Sequence, residues 1–152
     1  MLHTDLQRSV FGEAWHGPSL LEAIRDITPH QSTLRPIPSA HTIGEIILHA
    51  AAWMEEVLSR ANGQRHAEPE AGDWAPCTDF PAAVARLQSV AQALIDRTAQ
   101  LTPQDLDRRI GNTYNAAEAT GFTLAETIRG VTQHNTYHAG QIILLTRMLP
   151  AL

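Results

Sequence analysis

The stretch Thr123-Leu-Ala-Glu-Thr-Ile-Arg-Gly-Val-Thr-Gln-His134-Asn-Thr-Tyr-His138-Ala-Gly-Gln141-Ile-Ile-Leu-Leu145 decides how this chain folds. It opens as a capping box: the Thr123 hydroxyl accepts from the N3 amide while Glu126 reaches back to the N-cap amide. Ile128, Val131, His134, His138, Ile142 and Leu145 then recur at helical spacing until Pro150 stops the helix. Residues four apart share a helical face, their Cβ atoms ~5–6 Å apart. The His134 and His138 imidazoles can therefore converge on one cation at bonds of ~2.1 Å. Two ligands seldom hold a metal alone, so a third is sought upstream.

Thr42-Ile-Gly-Glu45 is a second capping box and starts a helix through Ile46, Ile47, His49, Ala50, Trp53, Val57 and Leu58 to a stop near Asn62-Gly63. On it His49 shares a face with Glu45, Ile46, Trp53 and Glu56, beside the apolar stripe. A further helix is expected from Thr78 or Asp79, with Pro81 in its first turn, burying Val84, Leu87, Val90, Ala91, Leu94 and Ile95 and ending at Thr102-Pro103. The first helical segment is broken: Thr4 to Trp15 is apolar at Leu6, Val10, Phe11 and Ala14, Gly17-Pro18 interrupts, and Ser19 to Ile27 resumes. Between segments, Thr28 to Ala40 reads as an extended connector because it holds Pro29, Pro36 and Pro38. Gln64 to Pro76 reads as a surface connector, and Thr102 to Phe122 as a long loop of the kind that covers a site. Four helical segments with long connectors predict an all-α four-helix bundle with long crossover connections, in which sites form between facing helices.

Composition agrees with a single domain over residues 1–152: 43% of the residues are hydrophobic, enough for a core without disulfides or structural metals. The lone cysteine, Cys77, excludes an internal disulfide and a thiolate-rich zinc site. All eleven basic residues are arginines, dispersed in a chain of net charge −5, so no nucleic-acid footprint is present. The absence of lysine excludes Schiff-base chemistry and a P-loop. No run approaches the ~20 apolar residues of a membrane span, and the N-terminal residues lack an apolar leader core. The expectation is a cytoplasmic protein without membrane contact.

Three neutral imidazoles from His49, His134 and His138 make a half-shell for a divalent transition metal, with at least one position left for water or substrate. Imidazole suits zinc, nickel, iron and copper alike, and zinc is the default. Glu45, Glu56, Asn135, Thr136 and Gln141 are placed by helical phase to hold the rings, and Glu45 to complete the shell. Asn135 stands where a zincin needs its glutamate, and the Glu45 to His49 spacing differs from a di-iron motif, so neither chemistry is expected. Each histidine alone also fits a buried neutral ring bonded to a carbonyl. His3, His30, His41 and His66 are expected in solvent, and His16 either to reach the site or to cap its turn. Trp15, Trp53 and Trp74 are expected as core or interface aromatics, and Cys77 as an incidental thiol. Tyr114 and Tyr137 receive no role.

His49-Ala-Ala-Ala-Trp53 together with His134-x-x-x-His138-x-Gly-Gln141-Ile resembles the DinB/YfiT-like superfamily of small four-helix-bundle metalloproteins, over most of the chain. Ala14-Trp-His-Gly-Pro-Ser-Leu20 and Pro36-Ile-Pro-Ser-Ala-His41 resemble one of its branches. The resemblance implies a bundle with a long crossover, metal ligands at His49, His134 and His138, and a homodimer; the expected metal is zinc or nickel. Relatives include transferases and isomerases dependent on bacillithiol or mycothiol, so it further implies a metal-dependent low-molecular-weight thiol S-transferase acting on a small electrophile. Alternative expectations are a metal-dependent hydrolase and a non-catalytic, stress-associated metal-binding or interaction protein.

Overall fold

Helix starts in this chain are written by one repeated device. In the computed structural model, which describes residues 1–64, 68–70, 72–110 and 121–149, a hydroxyl at the N-cap and a carboxylate or amide at N3 exchange hydrogen bonds at five helix N-termini. Each such cap is worth ~1 kcal/mol. The described residues form seven helices and no strand: α1 (Leu2–Phe11), α2 (Leu20–Ala23), α3 (Pro29–Thr33), α4 (Ile43–Ala61), α5 (Phe80–Ala99), α6 (Pro103–Asp107) and α7 (Leu124–Thr146). One isolated antiparallel bridge joins Arg109 to Thr123.

The four longer helices make the bundle. α4 packs against α5 and α7, and α1 packs against the same two, leaving α1 and α4 on one diagonal and α5 and α7 on the other. The chain crosses a diagonal between α1 and α4 and again between α5 and α7, while the connector after α4 joins neighbours. The core between them holds Leu6, Ile47, Met54, Leu87, Leu94, Leu124, Ile128 and Ile142, all fully buried. No helix among the described residues is long and apolar enough to cross a membrane.

Three expectations are corrected. The first helix stops at Phe11 rather than Trp15, because Gly12 takes φ 124 and turns the chain, and the resumed segment is a single turn ending at Ala23 rather than Ile27. Thr28 to Ala40 is not extended throughout: Pro29 occupies the first turn of α3, where its missing N–H costs nothing, and Thr28 and Gln31 cap it. In the same way Thr102-Pro103 both follows α5 and opens α6, with Thr102 and Asp105 as the box. Residues 111–120 of the long loop lie outside the described residues.

The connector after α4 is pinned where α4 begins. A Cβ added at Gly44 would lie 2.8 Å from the Cys77 Cβ and 3.3 Å from the Ser32 carbonyl oxygen. Only a glycine admits the chain this closely, and the close approach brings Asp73 and Trp74 back over α4.

Candidate metal centre

His49 projects from the middle of α4, and His134 and His138 project from α7, the helix packed beside it. His134 Nε2 lies 2.9 Å from His49 Nε2 and 3.0 Å from His138 Nε2. One nitrogen from each ring falls within 4.8 Å of the others. Two nitrogens bound at ~2.1 Å to one tetrahedral ion stand ~3.4 Å apart, close to these separations. His49 and His138 are buried, and His134 is half-buried.

The outer nitrogens fix the tautomers. His49 Nδ1 faces the Asp73 main-chain oxygen at 2.8 Å, and an oxygen that can only accept requires Nδ1 to carry the proton. The Asp73 carboxylate lies 3.1 Å from the same nitrogen and also accepts from Trp53 Nε1 at 2.8 Å. On the other side Gln141 gives its amide N–H to Tyr137 Oη at 3.0 Å and turns its carbonyl oxygen to His138 Nδ1 at 2.6 Å. Both rings therefore present Nε2 lone pairs toward His134. Its Nε2 can donate to only one of them, and its Nδ1 is buried with no partner among the described residues. If the proton instead sits on Nδ1, three lone pairs face one another. Without a cation neither tautomer of His134 resolves the conflict, because an unpaired buried polar group costs ~1–3 kcal/mol. A cation accepting all three lone pairs removes the repulsion, so the donor set fits a divalent transition metal that favours imidazole.

The rings are also neutral. Burial first, then repulsion from the neighbouring rings, pushes His134 down to about 3, and burial pushes His138 down to about 4. Burial likewise lowers His49, against the opposing pull of Asp73. Neutral imidazole is the form that ligates.

Of the residues expected to support the site, Gln141 does so. Glu45 instead accepts from the Thr42 amide and pairs with Arg35, and Glu56 pairs inside the bundle with Arg60 at 2.5 Å, so neither carboxylate joins the three rings. Asn135 is fully buried in the bundle core, where its amide reaches Ser9 Oγ at 3.3 Å and Met54 Sδ at 3.6 Å. Thr136 bonds back to the Thr132 carbonyl and lies 3.4 Å from His16 Nε2, which places exposed His16 on the outside of α7 rather than at the site.

Two residues at the site carried no signal that spacing can show. Asp73 comes from the connector twenty-four positions after His49. Trp74 lies flat between His49 and His41, with ring centroids 3.8 and 3.5 Å away and planes within 2°. His41, expected in solvent, is thus part of the wall, with Nδ1 3.4 Å from Glu45 Oε2. Of the tryptophans, Trp53 is half-buried against the core and lines a cleft, Trp74 is stacked on the site, and Trp15 is fully exposed. A tryptophan in a glycine- and proline-rich connector was the one available hint. Cys77 stands outside the cluster, its thiol pushed up by burial. His66 and Tyr114 lie outside the described residues.

Beside the rings, between α4 and α7, an open cleft of about 700 Å³ is lined by His49 and His134 at its inner end.

The family model described as DinB superfamily matches residues 14–142 of the chain. No curated protein and no solved structure matches it.

Proposed function

This chain belongs to the DinB superfamily, and on that premise we propose that it binds one divalent transition metal, zinc or nickel, through Nε2 of His49, His134 and His138 and acts as a thiol-dependent S-transferase. The observation that carries the metal reading is the meeting of Nε2 atoms 2.9 and 3.0 Å apart on rings whose outer nitrogens are committed to Asp73 and Gln141. When bound, such a metal supplies Lewis acidity and holds a coordinating thiol deprotonated.

The chain's own residues do the rest. Asp73 and Gln141 orient His49 and His138, as carbonyl and carboxylate partners of ligating histidines do. Trp74 shields one face of His49 from water. No side chain of the three-ring cluster is a nucleophile, and Cys77 is elsewhere, so the nucleophile is supplied as a substrate: a low-molecular-weight thiol of the bacillithiol or mycothiol type, joined to a small electrophile. The cleft against His49 and His134 favours a site with an exchangeable position over a closed structural one.

Elemental mass spectrometry on tag-free protein tests the first half. About one metal per chain is expected in wild type, lost in His49→Ala, His134→Ala and His138→Ala. No metal in wild type after loading would make the histidines core residues. Loaded protein is then assayed for conjugation with bacillithiol, mycothiol and glutathione. Activity without any thiol would move the reading to hydrolysis, and metal binding without thiol binding or turnover to a non-catalytic metal-binding protein.

A further inference from the structure

The cleft has a defined shape. His49, Trp53 and Val57 form one stripe on α4, at i, i+4 and i+8, and Thr127, Gly130 and His134 form another on α7, at i, i+3 and i+7. These stripes are its two walls. From Thr127 to His134 the α7 wall is ~10 Å long at 1.5 Å per residue, fewer than two helical turns, which is too short to seat a peptide helix. Its volume of about 700 Å³ is that of a small-molecule site.

Asp73, Glu126 and Thr127 along these walls each have a partner within the chain. The Asp73 carboxylate accepts from Trp53 Nε1, the Glu126 carboxylate accepts from the Thr123 amide and hydroxyl at 2.7 and 3.0 Å, and Thr127 Oγ1 donates to the Thr123 carbonyl at 3.0 Å. Arg129 and Gln133 sit at the exposed rim. Among the described residues the apolar lining is Trp53, Val57, Val131 and Phe122, with the imidazoles of His49 and His134 at one end.

Gly130 stands in the middle of the α7 wall, and a Cβ there would meet no described residue within 4 Å. A glycine inside a helix costs stability relative to alanine, and here no neighbour among the described residues demands it. We propose that the cleft binds an uncharged, largely apolar small molecule with one polar end directed at His49 and His134, and that Gly130 sets the size it admits. The direction of the polar end rests on the metal reading; the cleft does not.

The test is a fluorescence titration of metal-free protein with N-phenyl-1-naphthylamine, an uncharged probe, and with its sulfonated analogue 1-anilinonaphthalene-8-sulfonate. Wild type, Gly130→Leu and Gly140→Leu are compared, Gly140 being a second α7 glycine with no described residue within 4 Å of an added Cβ and no place in the cleft. One saturable site is expected for the uncharged probe, weakened by about tenfold or more in Gly130→Leu and unchanged in Gly140→Leu, because a filled wall displaces the ligand's apolar contact. Circular dichroism and melting of both variants establish that they are folded. Absence of probe binding, or equal binding to wild type and Gly130→Leu, overturns the proposal. So does a sulfonated probe that binds about tenfold tighter than the uncharged one and loses that advantage in Arg129→Gln, since the occupant would then be anionic. Metal uptake is measured on separate aliquots of the same preparations after loading: chains that take up no metal yet bind the probe in a Gly130-dependent way sink the metal reading and support the cleft.

Discussion

Acidifying the metal-free chain from pH 7 to pH 5 is expected to unfold it more easily, and the cause is local to the three rings. His134 is pushed from the ordinary 6.5 down to about 3, by burial and then by its neighbours' charge, and His138 is pushed to about 4 by burial. Between those values and 6.5 the unfolded chain takes up protons that the folded chain refuses. Stability therefore rises with pH across this window and is lost as pH falls below 6.5. Each refused proton is worth ~1.4 kcal/mol per pH unit, so by pH 5 each ring costs up to about 2 kcal/mol. With half-exposed His134 discounted for solvent screening, the two together cost roughly 2–4 kcal/mol, a large share of the ~5–15 kcal/mol that holds a domain folded. Glu22, Glu45, Asp105 and Glu126 are held below their ordinary values, so their contributions disappear only as pH falls through about 4.5 and below, outside this window. The assay is urea denaturation with a chelator present at pH 7, 6 and 5, followed by circular dichroism. The variant carrying both His134→Leu and His138→Leu should show a much flatter profile. A wild-type stability that is constant or higher at pH 5 would refute the burial of neutral imidazoles on which the site depends.

Zinc or nickel at about a hundred times its dissociation constant should stabilise the chain by about 2.7 kcal/mol and chelator should reverse this; denaturation midpoints that ignore metal would contradict the proposed centre. Asp73→Ala should weaken metal binding about tenfold, at the low end of such effects because the Asp73 main-chain oxygen still accepts from His49 Nδ1. Competition with a chromogenic chelator reads this directly, and unchanged affinity would remove Asp73 from the site. Gly44→Ala should cost about 1–3 kcal/mol in urea melts, because the new Cβ meets the Cys77 side chain at 2.8 Å; a neutral result would mean that the connector is free to move off α4. Thr123→Ala should cost about 1 kcal/mol through loss of the cap on α7, read as a lowered melting temperature, and a loss too small to measure would show the cap to be dispensable.

What the sequence by itself determined is what depends on neighbours a few positions apart. Two capping boxes, an apolar period of 3.6 and a histidine pair at i, i+4 located α4, α7 and one face of the site, since helix geometry is the same wherever the helix lies. The short helices α3 and α6 escaped because a proline was read as a breaker where, as the first residue after a capping threonine, it is a starter. Tertiary structure decided the remainder. That His49 meets His134 depends on α4 lying beside α7 rather than across a diagonal from it. The Asp73 carbonyl, the Trp74 stack and the cleft wall at Gly130 depend on a connector pinned at Gly44 and on two helical faces left apart. Contacts made across such distances in the chain leave no period in a single sequence, because nothing local repeats when a loop is folded back over a helix.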